Sequence, residues 1–538
     1  MSIPKPAGNP SVVRSARTVS LAVLGSRVLG LVREMVLAAL FGPHMEFDAF
    51  ITAFRIPNLL RDLFAEGALS AAFVTTFSQK VATEGDKTAW RLANIVLNAL
   101  FVVLGVITIA GLCAAPWLVH AIAPGFAAIP GKAELTTTLT RIMFPFLLMV
   151  AMAALAMGML NAKHRFGVPA SASTMFNVGS IVGGIGFAFI LAPNFLHDPS
   201  QAGRAMMGIS IGTLIGGAAQ WLIQVPSLRA VGYRYEPILD WRDAGFRRIM
   251  RLIGPGIIGV AAVPVNIFVD NGFASYFGNG AVTCLNCAFR VIFFPIGLIG
   301  VAIGTAMLPT VSAHVARGEI GEFRQTLGRS IRLAFFLSIP AACGLAVLAQ
   351  PIIAVVFQHG KFDAASTVQT AHILQAFTLG LAGYSAIKII APTFYAFGDS
   401  RTPMYVALFS ILVNAGLDYV FAVVLKMQTA GLALSTSCVA LVNFFLLLVL
   451  MRRRIGRIEG RQLLISSIRI TGAALAMTAA AYGAHSLLAS TNRYLDVAGS
   501  MVVALVVFGA ACKLLRVEEF GELLGVLRFS PAPAIVES

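Results

Sequence analysis

Long apolar stretches are the feature that most constrains this chain. Fourteen segments are apolar over about 20 residues or more, the length a helix needs to cross the hydrocarbon core of a bilayer. The chain is 58% hydrophobic and 12% charged, whereas a soluble domain is about half apolar and a quarter charged. The sequence therefore predicts an all-α polytopic membrane protein and excludes a soluble fold, a collagen and a disulfide-rich secreted scaffold. The predicted spans are 19–41, 49–79, 92–118, 137–161, 168–192, 205–228, 249–277, 281–313, 328–357, 367–396, 403–425, 429–451, 464–489 and 496–516.

The distribution of positive charge predicts the orientation of these spans. The chain carries 40 Lys and Arg against 24 Asp and Glu, a net charge of +16. With the N-terminus inside, the segments on the inner side, including the adjoining span ends, hold 28 of the basic residues, and the outer segments hold six. Such an excess is typical of cytoplasmic loops. We therefore expect a multi-pass protein with both termini in the cytoplasm, and the net charge gives no reason to expect nucleic acid as a partner.

Six basic residues remain in the interior of the predicted spans, away from the span ends, and four of them lie in the first two. A cation at the centre of a spanning helix costs roughly 2.5–3.5 kcal/mol on insertion scales, so such residues normally face a cavity. Arginine stays charged there and donates paired hydrogen bonds to phosphate, which predicts a cleft for an anionic ligand. The alternative is that nearby carboxylates neutralise the arginines as packing ion pairs. The basic residues are Arg27, Arg33, Arg55, Arg61, Arg290 and Lys388, and the carboxylates are Glu34, Asp48, Asp62 and Glu66.

An internal repeat predicts two lobes. Residues 67–79 (GALSAAFVTTFSQ) resemble residues 301–313 (VAIGTAMLPTVSA) at an offset of 234, and the same offset pairs Pro169 with Pro403. Parallel six-helix repeats are typical of transporters that bind substrate between two lobes and rock them for alternating access. The predicted divisions are an N-terminal lobe at 1–229, a C-terminal lobe at 230–455, and two further spans with a tail at 456–538.

A second polar group lies in the later spans. Asp270 interrupts an apolar stretch, Asn414 and Asp418 are spaced i and i+4 on one helical face, and Thr436 lies in the next span. Carboxylate, amide and hydroxyl oxygens are hard ligands that suit a small cation such as Na⁺. We expect a coupling-ion site here. Hydrogen-bonded polar packing or a protonated carboxyl group is the alternative.

The segment at 26–74 closely resembles the MurJ/MviN family of lipid II flippases, which belong to the multidrug/oligosaccharidyl-lipid/polysaccharide exporter superfamily. The resemblance rests above all on PNLLR-x-x-FAEGA (57–68), and further on APGF (123–126), FQHGKF (357–362) and K-x-x-APTFYAFGDSRTP (388–403). It implies fourteen spans in two six-helix lobes plus two C-terminal helices.

The resemblance also implies a function. A flippase of this family moves lipid II, the undecaprenyl-diphosphate-linked peptidoglycan precursor, from the inner to the outer leaflet of the bacterial cytoplasmic (inner) membrane. It is a transporter and makes or breaks no bond. Implied partners are lipid II, membrane lipids and the peptidoglycan-synthesis machinery. A multidrug exporter, or an exporter of another polyprenyl-diphosphate glycan, is the alternative. The family's cavity positions correspond to Arg27, Arg33, Asp48, Arg55, Arg61, Glu66 and Arg290.

Overall fold

The computed structural model describes the backbone of residues 10–62, 68–456 and 460–528, and every regular element in these ranges is helical. The chain forms two compact units, Met1–Thr283 and Cys284–Ser538. Apolar segments of this kind must satisfy their backbone hydrogen bonds internally in lipid, and a helix does so within one segment.

The first unit contains ten α-helices within its described residues. They are α1 (Pro10–Phe41), α2 (Met45–Arg61), α3 (Ala68–Glu84), α4 (Asp86–Ile122), α5 (Lys132–Met143), α6 (Phe146–Ala162), α7 (Gly167–Leu191), α8 (Ala202–Leu222), α9 (Val225–Ala230) and α10 (Ala244–Ala274).

The second unit begins within the first turn of α11 (Ala281–Pro295). Two π-helical turns, Ile296–Val301 and Tyr419–Val424, follow α11 and α17 directly. The other helices are α12 (Ala302–Arg317), α13 (Ile320–Val347), α14 (Ala349–Phe357), α15 (Ala364–Thr378), α16 (Leu381–Ala396), α17 (Arg401–Asp418), α18 (Gln428–Ile455), α19 (Gly460–Leu488), α20 (Arg493–Leu514) and α21 (Glu518–Arg528).

The described helices confirm a multispanning fold. Ten of them, counting helices joined end to end as one, are long and apolar enough to cross a membrane, and the bent pair α15–α16 makes eleven. These eleven coincide with predicted spans. The other three predictions, 19–41, 49–79 and 249–277, also fall on helices: α1, the pair α2 and α3, and α10. The total of fourteen spans therefore stays a prediction that the described helices can accommodate.

Small residues let α7 and α8 pack with their backbones in close contact. A Cβ atom added to Gly212 would lie 2.2 Å from the Cα of Gly184, and one added to Gly216 would lie 2.5 Å from the carbonyl oxygen of Phe176. Membrane helices associate largely through such close packing because lipid offers them little hydrophobic driving force. The two glycines of GTLIG (212–216) therefore serve helix packing.

Local geometry agrees with the repeated sequence. Pro169 and Pro403, paired by the offset of 234, are each the third residue of their helix, α7 and α17. The first and seventh predicted spans end in similar segments, ALFG (39–42) and SYFG (275–278), and the last residue of each is a glycine with positive φ, Gly42 at 65° and Gly278 at 85°. The lobe boundary at 229/230 stays a prediction. The sequence predicts that α10 is the first helix of the C-terminal lobe, whereas its contacts in the structure place it in the first unit.

Candidate anion-binding site

The arginines of α1 differ in their surroundings. Arg27 is exposed, whereas the side chain of Arg33 is 13% exposed. The Nη2 group of Arg33 donates to Oε1 of Glu34 at 3.0 Å. The guanidinium carbon lies 5.3 Å from the ring centroid of Phe176 on α7 and 6.0 Å from that of Phe54 on α2. Arg33 is therefore held between two aromatic rings and a carboxylate, an arrangement that stabilises a partly buried cation.

The arginines of α2 also have polar partners. Arg55 donates through Nη1 to Oδ1 of Asn271 on α10 at 2.7 Å. Arg61 donates through Nη2 and Nε to Oδ1 of Asp62, at 2.8 and 3.2 Å. Asn271 was not among the predicted site residues. The sequence feature that could have indicated Asn271 is its position next to Asp270, which makes two consecutive polar residues within an apolar span.

Asp48, a predicted site residue, lies in a fully buried polar cluster. Its Oδ2 accepts hydrogen bonds from Nζ of Lys132 and from the backbone N–H of Gly280, both at 2.8 Å. Its Oδ1 accepts from the backbone N–H and the hydroxyl group of Thr283, at 2.8 and 2.7 Å. Both Asp48 and Lys132 have side chains that are 0% exposed. In this conformation Asp48 therefore caps the N-terminus of α11 and is sealed from any ligand.

The rest of the Lys132 environment completes this cluster. The ammonium group also donates to Oδ1 of Asn279 at 3.1 Å and lies 4.2 Å from the ring centroid of Phe126. Gly280 has a φ of 86°, and a Cβ atom there would lie 2.3 Å from the carbonyl oxygen of Pro43. Sequence reasoning placed Lys132 among the outer loop charges and missed its pairing with Asp48.

The remaining predicted site residues are not brought together within one unit. Arg290 is an exposed residue of α11 in the second unit. Glu66 lies outside the described residues. Arg27, Arg33, Arg55 and Arg61 thus lie on α1 and α2 of the first unit, and Asp48 lies in a separate buried cluster.

The second unit brings two of the four predicted cation ligands, Asn414 and Asp418, into hydrogen-bonding contact, and a third, Thr436, is buried on the next helix. Asn414 donates through Nδ2 to Oδ2 of Asp418 at 2.9 Å, and Ser435 donates to Oδ1 of Asn414 at 3.2 Å. The hydroxyl group of Thr436 donates to the carbonyl oxygen of Leu432 at 2.8 Å. Asp270 belongs to the first unit. Within the described residues no three His, Cys, Asp or Glu side chains converge as metal ligands, so any ion here would rely on one carboxylate with amide and hydroxyl oxygens.

The loop motif GDSRTP (398–403) has a structural explanation. Asp399 accepts from the backbone N–H of Thr402 at 3.0 Å and from its hydroxyl group at 2.8 Å, and Arg454 donates to the same carboxylate at 2.8 Å. The pKa of Asp399 lies below its usual value. The largest cause is the backbone hydrogen bond from Thr402, and smaller contributions come from the Thr402 hydroxyl group and the positive charge of Arg454. Asp399 thus fixes the start of α17.

A sequence profile of the lipid II flippase MurJ family matches residues 37–501. The chain belongs to the MurJ family. The lipid II flippase MurJ of Burkholderia cenocepacia is 35% identical over 448 residues, which cover 82% of this chain and 84% of that protein. The probable lipid II flippase MurJ of Rhizobium meliloti is 33% identical over 509 residues and 93% of both chains.

Solved structures agree with the MurJ fold. A structure of lipid II flippase MurJ in an inward closed conformation superposes with a TM-score of 0.76 at 23% identity, and covers 94% of this chain and 99% of that one. An inward-facing multidrug resistance MATE family transporter of the MOP superfamily superposes with a TM-score of 0.62 at 16% identity, and covers 82% and 95%. The predicted family and all-helical fold are thus confirmed. Membership in the MurJ family makes the chain a multi-pass membrane transporter rather than an enzyme.

Proposed function

We propose that this chain moves lipid II from the inner to the outer leaflet of the cytoplasmic membrane. The observation that carries the proposal is the family match over residues 37–501. The chemistry of the first unit supports it, because four arginines lie within the first two predicted spans of a very apolar chain. Lipid II presents a diphosphate, and guanidinium groups donate to phosphate oxygens in pairs while remaining charged in a low dielectric.

Alternating access is the mechanism we propose for this transport. Two compact units and the fold shared with MATE transporters support it, since transporters built from parallel repeats move one bundle against the other around a central site. The arginines would disfavour an organic cation, which argues against multidrug export. We assign the diphosphate to Arg27, Arg33 and Arg61, with Arg55 and Arg290 as further contacts.

Replacement in the native host tests this assignment. Depletion of the protein should make lipid II accumulate in the inner leaflet, and the wild-type chain should restore its outward exposure. Arg61→Lys keeps the charge and loses the planar fork, so we expect it to restore less than a tenth of the flipping rate, a loss of about 1.4 kcal/mol or more. Arg91→Lys, at a 60% exposed position, is the matched control and should restore it fully. Normal exposure of lipid II after depletion would overturn the proposal.

We also propose that both termini face the cytoplasm and that membrane lipids and the peptidoglycan-synthesis machinery are partners. The 28-to-six division of basic residues between inner and outer segments supports the orientation, and the family match supports the partners. Single cysteines at exposed Gln462 and Arg493, in a chain with its own cysteines replaced, test the orientation. An impermeant thiol reagent added to whole cells should label the second position and leave the first unlabelled. The reverse pattern would contradict the orientation.

Na⁺ is the coupling ion that we propose for the second unit. The buried group of Asn414, Asp418 and Ser435 supports the proposal with a carboxylate, an amide and a hydroxyl group on facing helices. Thr436, the residue after Ser435 on α18, is the further ligand that we propose, whereas Asp270 belongs to the first unit and stays a sequence prediction. Na⁺ should raise the thermal midpoint of the purified protein relative to K⁺ at equal ionic strength, and Asp418→Asn should abolish the difference. An equal midpoint in both salts would refute Na⁺ binding.

A further inference from the structure

Two arginines of the proposed site are each bonded to the acidic residue that follows them in sequence. Arg33 donates to Glu34 at 3.0 Å, and Arg61 donates to one oxygen of Asp62 through two nitrogens, at 2.8 and 3.2 Å. Arg33 and Glu34 lie on α1, and Arg61 is the last residue of α2, directly followed by Asp62. The same local arrangement thus occurs on α1 and at the end of α2.

The pairing is not what helix geometry alone would produce. Consecutive residues of an α-helix point about 100° apart and do not face each other. A contact between neighbours therefore requires the long arginine side chain to turn back over its own helix. In both pairs the guanidinium group is directed at a carboxylate beside its own backbone, so another anion competes with that carboxylate for these N–H donors.

The two pairs differ in how readily they can exchange partners. The side chains of Arg61 and Asp62 are 23% and 32% exposed, whereas those of Arg33 and Glu34 are 13% and 6% exposed. Arg33 is also in contact with two aromatic rings. Desolvation makes the more buried Arg33–Glu34 pair harder to separate than the partly exposed Arg61–Asp62 pair. An incoming anion should therefore exchange first at Arg61 and then at Arg33.

A carboxylate and a phosphate group use the same guanidinium N–H donors. We propose, on the basis of the proposed function, that Glu34 and Asp62 are resident counter-anions that occupy Arg33 and Arg61 in the substrate-free protein and are displaced by the diphosphate of the lipid substrate. The displacement offsets part of the attraction between arginine and diphosphate. Binding is then weak enough for the lipid to leave on the other side, and the empty site avoids uncompensated buried cations.

Asp62→Asn tests this displacement in the purified full-length chain. With the carboxylate neutralised, lipid II should bind about three- to fivefold more tightly, the upper range for a partly exposed ion pair, and should dissociate more slowly. Glu34→Gln should also tighten binding. Asp62→Glu keeps the charge and should bind less tightly than Asp62→Asn. Glu84→Gln is the matched control: it removes one negative charge from the exposed Lys80–Glu84 pair and should change affinity less than twofold.

Inorganic pyrophosphate as a second probe separates the two proposals. Wild-type protein that binds lipid II no better than phosphatidylglycerol would count against the proposed function. Tighter pyrophosphate binding by Asp62→Asn would still support the counter-anions. Unchanged or weaker binding of both probes by a well-folded Asp62→Asn protein would overturn the counter-anion proposal, as would an equal gain in Glu84→Gln. Because Asp62 is the more exposed acid, this variant decides the question even if Glu34→Gln fails to fold.

Discussion

The buried pair of Asp48 and Lys132 predicts an unequal response to two substitutions. The Asp48 carboxylate accepts four hydrogen bonds, all from donors on Lys132, Gly280 and Thr283. In Asp48→Asn an amide NH₂ replaces one oxygen and faces two donors, and Lys132 becomes a buried cation without its counter-charge. Breaking a buried ion pair in this way costs about 3–5 kcal/mol.

Lys132→Met removes the other partner and should be milder. Asp48 then keeps three hydrogen bonds at the N-terminus of α11, where the helix dipole favours a negative charge. The loss is one charged hydrogen bond, about 1.5–3 kcal/mol. In the double variant the buried cation disappears, so Asp48→Asn/Lys132→Met should be no less stable than Asp48→Asn alone.

Thermal unfolding in detergent measures this order. A thiol-reactive dye reports unfolding because Cys284, Cys287 and Cys512 are buried. We expect the midpoint to fall most for Asp48→Asn and less for Lys132→Met. It should fall little for Glu84→Gln, whose exposed i,i+4 pair contributes about 0.3–0.5 kcal/mol. A midpoint lower for Lys132→Met than for Asp48→Asn, or unchanged in both, would refute the reasoning.

Two further predictions concern packing and pH. A Cβ atom at Gly212 would lie 2.2 Å from Gly184, so Gly212→Leu should abolish the monodisperse peak of folded protein on size-exclusion chromatography. Gly186 has no atom within 4 Å of such a Cβ position, so Gly186→Leu should elute as the wild type does. Equal behaviour of the two variants would contradict the close packing of α7 and α8. The pKa of Asp399 is lowered by Thr402, so its contribution to stability is present above its unfolded pKa of about 3.9 and is lost as pH falls through the lower folded value. Acidification from pH 6 to pH 3 should therefore lower the thermal midpoint more in the wild type than in Asp399→Asn, and an equal decrease would refute the assignment.

The site could be predicted only in part from the sequence. The in-span arginines were recognisable because a charge in lipid is costly and needs a reason. The pairing of Arg55 with Asn271 was not, since the two residues are 216 positions apart. Glu34 was recognised as an alternative partner of Arg33. Its contact depends on a side chain turned back between two aromatic rings, which no spacing rule describes.

The sequence by itself determined the all-helical membrane fold, the family and the arginine-rich first two helices. These follow from hydropathy, the cost of buried charge and a long motif, all of which are local along the chain. The tertiary structure decided the role of individual charges. Lys132 is the first residue of α5, and only the fold brings Asp48 and Asn279 to its ammonium group and the N–H groups of Gly280 and Thr283 to the Asp48 carboxylate. Pairing between distant residues depends on how helix ends meet, and hydropathy carries no information about that.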